Sequence, residues 1–455
     1  MLMTTCSLGL GELRSSNSTP RKHSQRQIKK AKDLFAKQSI VVPIIVDEYH
    51  HIIDGHLRFM VARELGIENL NAVVVSEAST AEIIELELAL NRLGEDSNWD
   101  EARLKKKLEQ LLEFDVDLSF TGFEQAEIDK LLHFEIIDEA EQDWGNTAPV
   151  TRPGDIWRVG DHIIACVDAL SPEVALSELD NLPLAKVCVT DPPYNVPTKG
   201  HIRTSHDHQE FAMAAGEMSD AEFEEFLNAF LRSALNLTTD KALFYVCMDW
   251  RHINHLNAAA KMQQLTPQNL CVWAKTNAGM GSFYRSQHEL VAVYSRAKTF
   301  QNNINLGASG RYRTNVWHYD GVTSFGPTRT EDLIDHPTIK PTKLIADILL
   351  DCTSIGDWVL DPFLGSGTSC LAAQQVNRRC LGLELEPKFI DVALKRLKDR
   401  CNLDAVHVQT GKSYADPLHS NAGKMVQSLS GPNMKLARDH ISSKPFTMLT
   451  PGLIC

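Results

Sequence analysis

Two short stretches carry residue types that can do chemistry. The first, "CVTDPPYNVP" (188–197), follows an apolar run, "LAKVCVT", that reads as a buried strand. The run ends in an acid, Asp191, two prolines, Pro192 and Pro193, and an aromatic ring, Tyr194. Two prolines remove two backbone donors and end a strand or a helix, so the acid stands on a stiff corner. An acceptor pinned beside a ring at the end of a buried strand is the feature to be explained. The second stretch is "GDWVLDPFLGSGTSCLAAQQV" (356–376). "DWVLD" reads as a short strand, "PFLGSGT" as a glycine turn and "SCLAAQQV" as the opening of a helix. Glycines in such a turn let a ligand touch the backbone. The third glycine of a dinucleotide turn and the Gly-Lys-Thr ending of a phosphate loop are both missing. One strand later, in "RRCLGLELEPKF", Glu384 stands near a strand end, where an acid can accept both hydroxyls of a ribose.

The elements that must position these residues alternate. Residues 150–412 read as strands and helices in turn, the pattern of a mostly parallel sheet. Residues 1–27 read as a loose polar tail, and 28–78 as a small α+β piece with "IVVPIIVD", "HHIID", a helix "HLRFMVAREL" and "NAVVVSE". Residues 79–145 read as an acidic helical connector, with Leu104, Leu108, Leu111 and Leu112 on one stripe. From 413 to 455 the chain holds Ser, Gly, Asn and Pro without periodicity, which predicts disorder.

The two stretches together resemble the catalytic and cofactor motifs of S-adenosylmethionine-dependent amino-methyltransferases of DNA. "DPPY" precedes "DPFLGSGT", as in the permuted β-type arrangement. "LFYVCMDW" (243–250), "CVWAKTNAGMGSFYRSQHELVAVYSR" (271–296) and "HPTIKP" (336–341) extend the likeness over residues 150–400. The resemblance implies a Rossmann-like α/β methyltransferase sheet, S-adenosylmethionine as cofactor and double-stranded DNA as partner. It assigns the two protons of the target amine to the Asp191 carboxylate and the Pro192 carbonyl, with Pro193 stiffening the turn and Tyr194 stacking on a base extruded from the duplex. It places Asp361, Phe363, Gly365 and Gly367 against methionine and ribose, Glu384 on the ribose hydroxyls, and Thr338, Lys340 and Pro341 at the methionine end. Pro341 equally suits the first turn of a helix. Asp168, ending "HIIACVDAL", is a candidate for the cofactor's adenine or a helix N-cap.

The insert 297–335 carries Arg311, Arg313 and Arg329 among Tyr312, Trp317, Tyr319 and Phe325, and lies where the family keeps target recognition, which suits DNA contact. His201, His206 and His208 follow "DPPY" on a polar loop; with no cysteine or paired acid to complete a set, they read as solvated, and no metal is expected. "HHIIDGHLRFMVARELGI" (50–67) resembles the ParB/sulfiredoxin-like domain, which implies an accessory that binds DNA or a partner. Adenine-N6 methylation is the leading expectation that the resemblance implies, since by analogy with the family Asp rather than Ser before "PPY" points to adenine. The alternatives are cytosine-N4 methylation and a non-catalytic, partition-like DNA-binding protein. A homodimer and a partner restriction enzyme, as in restriction-modification, are compatible with the resemblance.

Composition agrees. The net charge of −13 is uneven: residues 77–143 hold 20 acids and 6 bases, a net of −14, so the rest sums to +1. A basic cleft elsewhere is therefore open to the chain. No apolar run approaches the ~20 residues of a membrane span. Ten scattered cysteines without a Cys-x-x-Cys pair point to reduced thiols in a cytoplasm.

Overall fold

The computed structural model describes residues 1–15, 21–93, 97–114, 116–132, 134–138, 148–177, 179, 182–196, 216–276, 278, 283–307, 311–320 and 340–415. Thr338, Arg329, Phe325, the three loop histidines and residues 416–455 lie outside the described residues. The chain divides into one unit of residues 1–136, 301–314 and 347–356, and a second of 137–300, 315–346 and 357–455.

In the first unit, β1 (Leu2–Gly9), β2 (Ile44–Asp47), β3 (Ile52–Asp54) and β4 (Asn69–Ser76) form a sheet in the order β1-β4-β2-β3. Ile44, Val46, Ile52, Leu70 and Ala72 pack with Phe59 and Ala62 of α2 (His56–Leu65). Helix α1 (Gln25–Gln38) sets Ile28 and Ala31 against Val61 of α2 and is capped by Ser24, whose hydroxyl accepts the Gln27 N–H. Residues 1–27, expected as a loose tail, instead supply β1, which pairs antiparallel with β4 over its whole length, and the start of α1. Only Leu8 of β1 is buried, so the strand is held by its main-chain ladder and shows no side-chain alternation to read. Helix α3 (Thr80–Leu93) follows, then α4 (Glu101–Glu113), a turn and α5 (Gln125–Leu132). Leu104 and Leu108 of α4 meet Leu118, Ile128 and Leu132, with Leu111 and Leu112 partly buried beside them, so the predicted stripe is the packed face.

The second unit is built on ten strands: β5 (Ile156–Val159), β6 (His162–Cys166), β7 (Ala185–Thr190), β8 (Thr238–Met248), β9 (Thr266–Ala274), β10 (His288–Ser295), β11 (Val316–His318), β12 (Trp358–Asp361), β13 (Arg379–Glu384) and β14 (Ala405–His407). Their order is β11-β9-β10-β8-β7-β12-β13-β6-β5-β14. The central run β8-β7-β12-β13-β6 is parallel. The helices are α6 (Glu173–Leu176), α7 (Asp220–Asn236), α8 (Ile253–Met262), α9 (Thr342–Cys352), which from residue 347 onward is counted with the first unit, α10 (Thr368–Gln375) and α11 (Pro387–Cys401). This is a Rossmann-like α/β sheet. Its central strands are apolar on both faces (β6 and most of β7 are wholly buried), as helix-covered parallel strands must be. Parallel neighbours deliver their carboxyl ends to one edge, and Asp168, Asp191, Asp361 and Glu384 stand at or just past the ends of β6, β7, β12 and β13.

The glycine turn between β12 and α10 divides two tasks. Gly367 has φ +89°, and an added Cβ would lie 2.7 Å from the Cβ of Ala393 in α11, so packing demands the glycine. Gly365 has φ +54°, but an added Cβ would meet nothing within 4 Å. Gly367→Ala should therefore cost about 2–4 kcal/mol, left-handed strain plus overpacking. Gly365→Ala should cost about 1 kcal/mol, strain alone. Urea unfolding of both variants checks this; equal losses would mean that crowding by Ala393 adds nothing at Gly367.

Candidate active site

Asp361 joins the two motifs. Its Oδ1 accepts the Thr190 hydroxyl, 2.9 Å away at the end of β7, and the Phe363 N–H at 3.1 Å; its Oδ2 accepts the Ser369 hydroxyl of α10 at 2.6 Å. Burial pushes its pKa up to about 6 despite these three donors. Asp361 thus locks the strand that ends in "DPPY" to the glycine turn, whose Phe363 packs on the same apolar core as Tyr194.

Five side chains converge beyond this lock. The Lys340 ammonium, 6 % exposed, donates to Asp191 Oδ2 at 2.5 Å and pairs with Glu289 Oε2 at 2.9 Å. The Tyr194 hydroxyl donates to Asp191 Oδ1 and lies 3.5 Å from Lys340 Nζ. Lys275 donates to Glu289 Oε1 and stands 4.7 Å from the centre of the Trp273 ring. The sheet explains the meeting. Because β10 runs antiparallel to β8, its first residues, including Glu289, reach the edge where β7 ends. Because β9 pairs antiparallel with β10, Lys275, just past the end of β9, reaches the same edge. Lys340 stands two residues before α9, and Pro341 supplies the carbonyl that accepts the Leu344 N–H of its first turn.

The electrostatics separate the two acids. Burial pushes the Asp191 carboxyl up, the Lys340 ammonium pulls it down and the Glu289 charge pushes it up again. Glu289 is also penalised by burial, but two lysines hold it at about 2. The carboxylates raise Lys340 against its own desolvation, and it stays charged. Asn195, next to the corner at φ +55°, accepts the Gly216 and Met218 N–H groups and donates to the Met218 carbonyl, tying together the chain on either side of 197–215.

On the glycine side, Glu384 Oε2 accepts the Gly365 N–H at 2.8 Å and Oε1 the Glu386 N–H at 2.9 Å, while burial raises its pKa to about 7. The donor set fits a ribose-bearing cofactor: a carboxylate at a parallel strand end with acceptor sites to spare, beside a glycine with open space. Asp168 accepts the Leu170 N–H at 2.9 Å and so caps a turn; the next helix, α6, begins only at Glu173.

Arg311 and Arg313 do not join this cluster. In the first unit, Arg311 reaches Asp351 at 2.5 Å and Asp347 at 2.8 Å, and Arg313 pairs with the same two acids at 3.0 and 3.4 Å. Trp317 is buried in β11, and Tyr312 is 86 % exposed. Sequence reasoning missed Glu289, Lys275 and Asn195. The only sequence signal for the first two is an acid opening the apolar run "HELVAVYS" and a lysine closing "CVWAK".

Parts of the chain are similar to known proteins. Residues 185–395 match the family described as DNA methylase, and residues 102–153 match the ParB-methyltransferase HTH domain, where a plain helical connector was expected. The Type II methyltransferase M.HinfI of Haemophilus influenzae is 28% identical over 225 residues, 46% of this chain and 62% of that protein. M2.DpnII of Streptococcus pneumoniae is 27% identical over 222 residues, 46% of this chain and 80% of that protein. Among solved structures, the M1.HpyAVI–SAM complex aligns at TM-score 0.38 and 20% identity, covering 51% of this chain and 98% of that one. The chain thus spans 62% of the length of M.HinfI. Residues 185–395 thus carry the likeness to DNA methylases, and the segment similar to the ParB-methyltransferase HTH domain precedes them in the chain.

Proposed function

We propose that the chain transfers a methyl group from S-adenosylmethionine to the exocyclic N6 of adenine in a specific site of double-stranded DNA. The observation that supports methyl transfer to an exocyclic amine is the Thr190–Asp361 bond, which fixes the "DPPY" corner beside the glycine turn; the choice of adenine rests on Asp191 standing before "PPY", by analogy with the family. The exocyclic nitrogen is a poor nucleophile because its lone pair is delocalised into the ring. Asp191 and the Pro192 carbonyl would accept hydrogen bonds from its two N–H groups, so that the lone pair localises and points outward, and one of the two protons leaves as the methyl group arrives. The affinity for protons that burial gives Asp191 suits it to take the one the amine releases. Extruding a base costs a few kcal/mol; the Tyr194 ring would offset part of this by stacking. Glu384 and the Gly365 backbone would hold ribose and Asp168 adenine, with Lys340 close to the methionine end. When bound, the sulfonium supplies an activated methyl carbon and a neutral leaving group. The segment that matches the ParB-methyltransferase HTH domain, residues 102–153, would add a contact to duplex DNA.

The test is incubation with tritiated S-adenosylmethionine and DNA, then hydrolysis and identification of the labelled base. N6-methyladenine is expected; N4-methylcytosine would move the assignment to the other exocyclic amine, and no label in any DNA would favour a binding protein. Asp191→Ala should lower transfer by about a hundredfold or more while cofactor binding survives. Retained transfer would remove Asp191 from the reaction.

The Glu384 carboxyl gives a signed pH dependence. Its ionised form accepts the ribose hydroxyls, and its pKa in the free chain is about 7. Cofactor affinity should be level above about pH 8 and fall as pH drops, approaching about tenfold per unit. Glu384→Gln should bind more weakly and lose that slope. Calorimetric titration of S-adenosylmethionine from pH 5.5 to 8.5 reads both, and an unchanged slope in the variant would release Glu384 from the role.

A further inference from the structure

We propose that Glu289 is a positioning residue of this site, and that Lys275 and Glu289 together set how strongly Asp191 accepts a proton by dividing the charge of Lys340. The inference rests on the proposed transfer reaction for its consequence in rate, but not for its electrostatics.

Lys340 is almost wholly buried and touches two carboxylates at comparable distances, 2.5 Å to Asp191 and 2.9 Å to Glu289. In a site shielded from water, each contact counts for far more than at a surface. Paired with Asp191 alone, the ammonium would take up most of the acid's negative charge. The acid would remain ionised but become a weak acceptor, unsuited to localising an amine lone pair. Glu289 draws part of the ammonium's charge to itself and adds like-charge repulsion, and both effects make Asp191 more basic. Lys275 opposes this. By pairing with Glu289 Oε1 it decides how much of Glu289 is left for Lys340. The groups facing Asp191 include Lys340 before α9, Glu289 on β10, Tyr194 on its own corner, the buried Cys247 thiol of β8 and Asp361 of β12. Burial pushes the Cys247 thiol far up, so it stays neutral. Asp361 already serves three donors. The adjustable charges are therefore the two on β10 and the end of β9.

Opposite signs follow. Glu289→Gln removes the competing carboxylate, so Lys340 turns fully to Asp191 and the Asp191 midpoint should fall by about one unit. Lys275→Gln leaves Glu289 to Lys340, so the Asp191 midpoint should rise by about half a unit. The measurement is carboxyl-carbon NMR of the full-length chain labelled at aspartate, with Asp191→Asn identifying the resonance. In parallel, the acid limb of the methyl-transfer profile should move in the same two directions. In Glu289→Gln, turnover should fall by about ten- to a hundredfold with S-adenosylmethionine affinity unchanged. A side chain that merely packs would move neither midpoint, and shifts of the same sign or no shift in either variant would overturn the proposal. If one variant does not fold, the sign of the other decides. Opposite shifts in a wild-type chain that methylates no DNA would overturn the proposed function while upholding the division of charge.

Discussion

An ammonium buried between two carboxylates is the interaction on which the site depends. Removing an ion from water costs several kcal/mol even after relaxation, and attraction recovers this only when partners and geometry are nearly complete. Lys340 meets the condition because Asp191 and Glu289 both reach it, and Glu289 is itself matched by Lys275. Two positive and two negative groups make a neutral set that a folded interior can hold. The set is not symmetric. Glu289 has two lysines and stays ionised at any ordinary pH, whereas Asp191 shares one lysine and is pushed up by burial. Acids whose surroundings drive their pKa values apart have different tasks. Here one is a fixed charge and the other an acceptor whose strength is adjustable.

Strand order, rather than chain order, brings the parts together. Between "DPPY" and the glycine turn the chain makes more than 160 residues, yet β7 and β12 are neighbours in the sheet, with Leu360 opposite Cys188. A parallel sheet points each strand's carboxyl end the same way, so any motif written after a central strand arrives at one edge. Antiparallel β10 contributes from its opposite end, which is how an acid at the start of a strand meets acids at the ends of others.

What the sequence made legible was local. Proline and glycine impose backbone shapes that survive any context, so the corner at 191–194 and the turn at 363–367 could be placed before the fold was known. Alternating apolar runs likewise announced the α/β sheet. Glu289 and Lys275 were not legible, because an acid opening an apolar strand looks like any exposed end until antiparallel pairing sets it beside a buried lysine from elsewhere. For Arg311 and Arg313 the sequence hid the partners in the reverse direction. Basic residues among aromatics in an insert resemble a DNA-binding loop, but Asp347 and Asp351, one turn apart on α9, take both guanidiniums. The four-residue spacing of those acids was visible, but not the partner that would come to them. Strand β1 went unread because a main-chain ladder leaves no signature in side chains.

Counting donors separates the acids that hold the fold from those that wait for a ligand. An ionised carboxylate has about four acceptor sites. Among the described residues, Asp361 fills three of them with Thr190, Phe363 and Ser369, and these bonds knit β7, β12 and α10. It is a fold-holding acid, although the motif resemblance puts it against the cofactor. Among the described residues, Glu384 receives two backbone N–H groups and keeps two sites, next to the one glycine of the turn whose missing side chain leaves open space. Burying a carboxylate with half its capacity unused is unfavourable, and its pKa near 7 records that cost. A fold selected for stability alone would have added a third donor or replaced the acid. In the proposed function ribose hydroxyls complete the set at Glu384, whereas Asp361, with three donors already bound, has one acceptor site left to offer.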